Sequence, residues 1–140
     1  MRARWLWPKR VTAEQKKIRR GRDAEHRGRW AEMLCLAHLW LTGWRVLAYR
    51  LLAKRGSGLG EIDIVARRGR VLAFIEVKAR GSEADALESI QSTQRQRIEN
   101  AASAFLGRHP ALAVCEIRFD AMIVSGRLWP KHIQDAWRPR

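Results

Sequence analysis

Apolar residues recur at helical spacing from Gly28 onward: Trp30, Met33, Leu34, Ala37, Trp40 and Leu41 follow a 3.6-residue repeat. Gly43 then stands where a left-handed residue commonly ends a helix. Upstream, Thr12 with Gln15 three residues later offers a capping box. Residues 12–27 are polar and basic, so they read either as a solvated helix or as disordered chain. The period then changes. Trp44 to Leu52 predicts a strand, Ile62 to Arg67 a second and Val71 to Ala79 a third. Between the last two, Arg67-Arg68-Gly69-Arg70 suits a tight hairpin, because glycine accepts positive φ. After Gly81-Ser82, the residues Leu87, Ile90, Ile98, Ala101, Ala102, Phe105 and Leu106 mark one face of a long helix. It starts at Ala84 or Ala86, runs to Leu106, and is stopped by Gly107 and Pro110. Cys115 to Val124 predicts a fourth strand, Leu128-Trp129 a short fifth, and Pro130 to Trp137 a terminal helical turn. This order predicts an α/β fold with a mixed sheet of four to five strands flanked by helices, in one domain over residues 23–140.

Charge alters the picture at the N-terminus. The 140 residues carry 28 Lys and Arg against 14 Asp and Glu, a net charge of +14. Residues 1–22 are the densest part and read as a basic, flexible arm, but the remainder is basic as well. Such a surface favours polyanions through counterion release, which makes nucleic acid the expected partner. The other readings are a soluble protein that merely has a basic surface, and a basic surface matched to an acidic protein. Cys35 and Cys115 sit in apolar contexts without metal-ligand spacing, as reduced core residues of a cytoplasmic protein do. No apolar run approaches the roughly 18 residues of a membrane span.

Candidate chemistry concentrates in the central hairpin. Strand side chains alternate between faces, so Glu61, Asp63 and Val65 share one face, and Phe74, Glu76, Lys78 and Arg80 share one face of the next strand. Ala73, Ile75, Val77 and Ala79 are uniformly apolar and face the core. With Arg68-Gly69 as a two-residue turn, Arg67 pairs with Arg70, Asp63 faces Phe74, and Glu61 faces Glu76. Asp63 and Glu76 are then diagonal neighbours, about 7–8 Å apart, within reach of one cation. A three-residue loop would put them on opposite faces. Carboxylates so placed stay ionised together only beside a compensating charge, and hard oxygen ligands suit Mg²⁺ or Mn²⁺. Lys78 points to the same side, placed to orient a water or stabilise a phosphate. The competing reading is an amphipathic hairpin with a solvated Glu/Lys face.

Glu32 lies on a partly apolar helix face near Gly28, Cys35, Leu36 and Leu39, so it is either buried with a partner or a surface acid paired with Arg29. The loop from Lys54 and Arg55 to Gly60 is placed to follow a phosphate backbone, as is Arg80, or is simply a solvated loop. Arg118 and Asp120 share a face and read as a sheet-edge ion pair of little energetic weight. His26, His38, His109 and His132 show no ligand spacing and read as surface or helix residues. Of the seven tryptophans, Trp30, Trp40 and Trp44 fit a core around the first helix, while Trp5 and Trp7 lie among arginines and lysines in the arm.

The segments Gly28-Arg29-Trp30-Ala31-Glu32, Gly43, Gly60-Glu61-Ile62-Asp63, Glu76-Val77-Lys78-Ala79-Arg80 and Arg118-Phe119-Asp120 together resemble the YraN family of uncharacterised bacterial proteins. That family is similar in fold to the Holliday-junction resolvase branch of the PD-(D/E)XK nucleases. The resemblance implies a restriction-endonuclease-like, resolvase-type sheet. It also implies that Asp63 and Glu76 hold a metal, with Glu32 completing the site and Lys78 as the catalytic lysine. Gln94, and with it Glu61, is an auxiliary candidate; Gln94 stands where the family pattern usually has a lysine. Resolvase-like proteins act as dimers, so a homodimer is implied too.

Three functions remain open from sequence. The first is a Mg²⁺- or Mn²⁺-dependent endonuclease acting on DNA, with branched or structured DNA as the expected substrate. The second is a nuclease-fold protein that binds nucleic acid without useful turnover. The third is a protein-interaction module that docks through its basic, tryptophan-bearing arm.

Overall fold

Five strands form one sheet in the order β1-β2-β3-β4-β5. They are β1 (Arg45–Leu51), β2 (Ile62–Arg68), β3 (Val71–Lys78), β4 (Glu116–Ile123) and β5 (Lys131–Trp137). These come from a computed structural model that describes residues 12–51, 61–79, 92–125 and 129–139, with Asp85, Glu88 and Ile90. β3 and β4 run parallel and the other pairs antiparallel. A parallel pair needs a crossover, and helix α2 (Ser92–Arg108) lies within it. Helix α1 (Ala13–Leu41) covers the other face. The result is an α/β mixed sheet flanked by helices, of the restriction-endonuclease-like class.

The two faces of the sheet pack separately. Val65, Leu72, Phe74, Phe119 and Ala121 meet Ile98, Ala101, Ala102 and Phe105 of α2. Ile64, Ala66, Ala73, Ile75 and Met122 meet Ala31, Cys35 and Leu39 of α1. Cys35 and Cys115 are both free and buried, as expected. Burial first, then the nearby Asp63 and Glu32 charges, pushes the Cys35 thiol up to about 12, so it is inert as a nucleophile.

α1 begins with the expected capping box. The Thr12 hydroxyl accepts from the Gln15 backbone at 3.2 Å, and the Gln15 side chain accepts from the Thr12 N–H at 3.0 Å. The helix continues without a break from residue 13 to 41, so residues 13–22 of the expected arm are its first turns, and residues 1–11 lie outside the described residues. At its end Trp44 N–H reaches the Leu39 carbonyl and Gly43 N–H that of Trp40, with Gly43 at φ 84°. That is a Schellman closure, which requires the left-handed glycine.

Three expectations need correction. The buried face of α1 is Ala31, Cys35 and Leu39, whereas Trp30, Met33, Trp40 and Leu41 are 60, 61, 77 and 64% exposed. The small side chains at 31 and 35 let the helix approach the sheet; the larger stripe would hold it away. The second helix is interrupted: Asp85 and Glu88 are helical as expected, but Ile90 is a bend, and the continuous helix runs from Ser92 to Arg108. The segment expected to form a terminal helical turn is β5 instead, and Trp129 is in no strand; Leu128 lies outside the described residues. Residues 131–137 have little intrinsic strand preference, and pairing with β4 decides their conformation.

Both outer strands are irregular. The β1–β2 register slips between Val46 and Ala48, leaving Leu47 as an extra residue, and Arg50 has φ 52°. In β5 the register slips opposite Phe119–Ala121, and Asp135 has φ 54°.

Candidate functional site

The β2–β3 hairpin turns one residue later than the sequence reading places it. Arg68 pairs with Val71, so Gly69-Arg70 is the two-residue turn, with Gly69 at φ 59° in its first central position. The loop is still even, so the faces hold, but the register moves. Ile64 pairs with Ile75 as the last rung of the ladder, so Asp63 and Glu76 are the next residues on the two strands rather than a diagonal pair. Asp63 and Glu76 line one cavity, and Glu76 shares the α2-side face with Phe74.

The acids sit at the foot of α2. Glu76 is 6% exposed, and its Oε1 accepts from Gln94 Nε2 at 2.7 Å and lies 3.2 Å from Lys78 Nζ. Lys78 Nζ also reaches Gln94 Oε1 at 3.5 Å. Asp63 Oδ2 accepts the Val77 N–H at 2.8 Å. The two carboxyls lie close enough for each to act on the ionisation of the other. Burial, then the Glu76 charge, lifts the Asp63 carboxyl to about 8. Glu76 is raised as well, by burial, against the opposing pull of Lys78, Asp63 and Gln94. Two desolvated acids with one nearby ammonium are therefore under-compensated. They border a cavity of about 380 Å³ whose other walls are Glu61, Thr93, Gln94, Arg97 and Ile98.

The sequence-predicted residues divide. Asp63, Glu76, Lys78 and Gln94 come together, with Glu61 exposed at the rim. Glu32 is close enough to raise the Asp63 pKa, but its Oε2 is held by Arg50 Nε at 2.7 Å. It borders a different cavity, with Arg29, Met33, Tyr49 and Arg50. Among the described residues, no three His, Cys, Asp or Glu side chains form a group that could enclose an ion. Lys54, Arg55 and Arg80 lie outside the described residues.

Sequence reasoning missed three participants. Arg50 gave no signal beyond its charge. Thr93 and Arg97 were findable, because they stand one turn apart beside Gln94 and Ile98 on α2.

A family model described as "Uncharacterised protein family UPF0102" matches residues 31–124. The chain belongs to the UPF0102 family. It is 52% identical over 115 residues to a UPF0102 protein of Paramagnetospirillum magneticum, covering 82% of this chain and 89% of that relative. With the UPF0102 protein of Parvibaculum lavamentivorans it shares 46% over 119 residues, 85% and 86% of the two chains. With that of Maricaulis maris it shares 47% over 118 residues, 84% and 90%. UPF0102 is the YraN family to which the motifs pointed. The UPF0102 match includes Glu32, Asp63, Glu76, Lys78, Gln94 and Arg97 and ends before β5. No helix among the described residues is long and apolar enough to cross a membrane.

Proposed function

We propose that this protein is a metal-dependent endonuclease that hydrolyses phosphodiester bonds in DNA, with branched or structured DNA as its substrate. The observation that carries this reading is the buried, under-compensated Asp63–Glu76 pair on an accessible cavity of a chain with net charge +14. The donor set fits Mg²⁺ or Mn²⁺: two hard carboxylates, side by side, that need positive charge between them to ionise together. Such an ion, held by Asp63 and Glu76, would polarise a phosphoryl oxygen and lower the pKa of a bound water.

The chain's own residues do the rest. Gln94 Nε2 and Lys78 Nζ both engage Glu76 Oε1, fixing that carboxylate's orientation. An ammonium has three donors, and two of those on Lys78 are directed at Glu76 and Gln94. The third is left to hold a water or a phosphoryl oxygen. The Val77 N–H anchors Asp63, so both acids are held by groups on rigid strands or on α2.

A second reading, nucleic-acid binding without turnover, is favoured by Gln94 standing where a second cationic lysine would otherwise serve the site. One assay separates the two. Wild type should cleave a four-way DNA junction with Mg²⁺ or Mn²⁺, and Asp63→Asn or Glu76→Gln should each lower the rate about a thousandfold, the loss of several kcal/mol of transition-state stabilisation. Wild type inert on branched, duplex and single-stranded DNA and on RNA, yet binding them salt-sensitively, would leave only the second reading.

A further inference from the structure

Among the described residues, Arg97 is the only cation on the wall of the carboxylate cavity, and it makes no hydrogen bond, ion pair or ring contact. It is exposed on the cavity wall and is not drawn onto either acid. Glu76 is already held by Gln94 and Lys78, and Asp63 by the Val77 N–H. The Arg97 backbone is fixed, because the next residue, Ile98, is 2% exposed in the core and Gln94, one turn earlier, is tied to Glu76. Thr93 stands one turn before Arg97 on the same side of α2 and lines the same cavity. The arrangement is a guanidinium on an anchored stem, with its head open to solvent, bonded to no protein group, and a hydroxyl alongside. A guanidinium fork matches two oxygens of a phosphate, and an arginine kept off carboxylates retains all its donors for such a ligand.

We propose that Arg97, with the Thr93 hydroxyl, holds a backbone phosphate flanking the scissile one and thereby sets where the nucleic-acid strand crosses Asp63 and Glu76. The assignment rests on the nuclease reading of this cavity. Lys78, which touches Glu76, serves the scissile group; Arg97, which touches no acid, serves its neighbour. Arg97 is thus a positioning residue, and the ligand it selects is a polyanionic strand rather than a single phosphate ester.

The test uses the full chain and a fluorescein-labelled four-way DNA junction. Binding is read by anisotropy in EDTA across a salt series, and cleavage is read separately with Mn²⁺. Wild type is compared with Arg97→Ala, Arg97→Lys and the exposed control Arg108→Ala on the same helix. Arg97→Ala should weaken binding by about 10- to 100-fold, the usual effect of losing a charged hydrogen bond. It should also reduce the slope of log affinity against log salt by about 0.9, one phosphate's share. Arg97→Lys should restore the slope but not the full affinity, since it keeps the charge and loses the fork. In cleavage, KM should rise more than kcat falls. Arg97→Ala indistinguishable from Arg108→Ala, with wild type cleaving normally, would overturn this inference and leave the nuclease reading standing. Wild type that binds without cleaving would overturn the nuclease reading, while the salt slope still decides whether Arg97 holds a phosphate. Wild type without affinity for the junction would overturn both.

Discussion

Glu76 and Asp120 occupy neighbouring strands of the same sheet, one residue apart in register, yet they live in opposite electrostatic conditions. Ile75 pairs with Asp120 and Glu76 with Ala121, so Asp120 faces α1 and Glu76 faces α2. Asp120 is fully buried, and its oxygens accept from Arg118 Nε at 2.7 Å, Arg118 Nη2 at 2.8 Å, His132 Nε2 at 2.7 Å and the Asp135 N–H at 2.9 Å. Burial alone would raise its pKa, but the bonds from His132, Arg118 and Asp135 outweigh burial and hold it below the usual range. Asp63 and Glu76 have fewer donors and each other's charge, and both are raised. Burial does not by itself separate a structural acid from a reactive one. The count of donors aimed at the acid does.

The largest expected effect falls on the satisfied acid. Asp120→Ala leaves Arg118 and His132, whose side chains are 15 and 7% exposed, without their partner. It should cost about 3–5 kcal/mol, a fall of roughly 10 °C or more in Tm for a domain of this size. Calorimetry showing Asp63→Asn to be equally costly would erase the distinction between the two faces. Asp63→Asn should instead leave stability unchanged or raise it by about 1 kcal/mol, because it relieves the carboxyl pair and an amide oxygen still accepts from Val77 N–H. The smallest effect is in the pH profile. The folded Asp63 pKa lies above its unfolded value of 3.8, so its contribution to stability is complete below 3.8 and lost as pH rises towards about 8. Asp120 has the opposite sign: its contribution is present above 3.8 and lost as pH falls below that. The stability gap between Asp63→Asn and wild type should therefore widen from pH 4 to 8, as read by urea denaturation at fixed pH. A gap independent of pH would show that burial and the Glu76 charge do not raise Asp63.

How much of this could be read in the sequence follows from the range of the interactions. The hairpin was legible because alternation and a glycine-bearing turn are local. Its even loop length kept Asp63 and Glu76 on one face even though the turn was placed one residue early. The orientation of α1 was not legible, because a large apolar stripe at Trp30, Met33 and Trp40 outweighs Ala31 and Cys35 on any hydrophobic scale, whereas the sheet selects by volume. Arg118–Asp120 was legible as a pair and wrong as a surface one. Its burial comes from Trp44 and from His132 on β5, two elements brought in from far along the chain. Trp44 is itself flanked by the Arg68 and Arg118 guanidiniums at 4.7 and 5.4 Å. His132 reads as a surface or helical residue in the sequence for the same reason: the strand it occupies exists only through β4.

The kinks in the two outer strands have a consequence for how this sheet meets other chains. A foreign strand laid along β1 would lose step at Leu47 and again at Arg50, and one laid along β5 would lose step at Asp135. Neither border can therefore serve as a straight template for fibril-like stacking, a hazard for any sheet whose margins are open. The same two departures also aim a donor at an acid, Arg50 at Glu32 and the Asp135 N–H at Asp120. Straightening either margin would loosen an internal carboxylate and expose a sticky ribbon in one step.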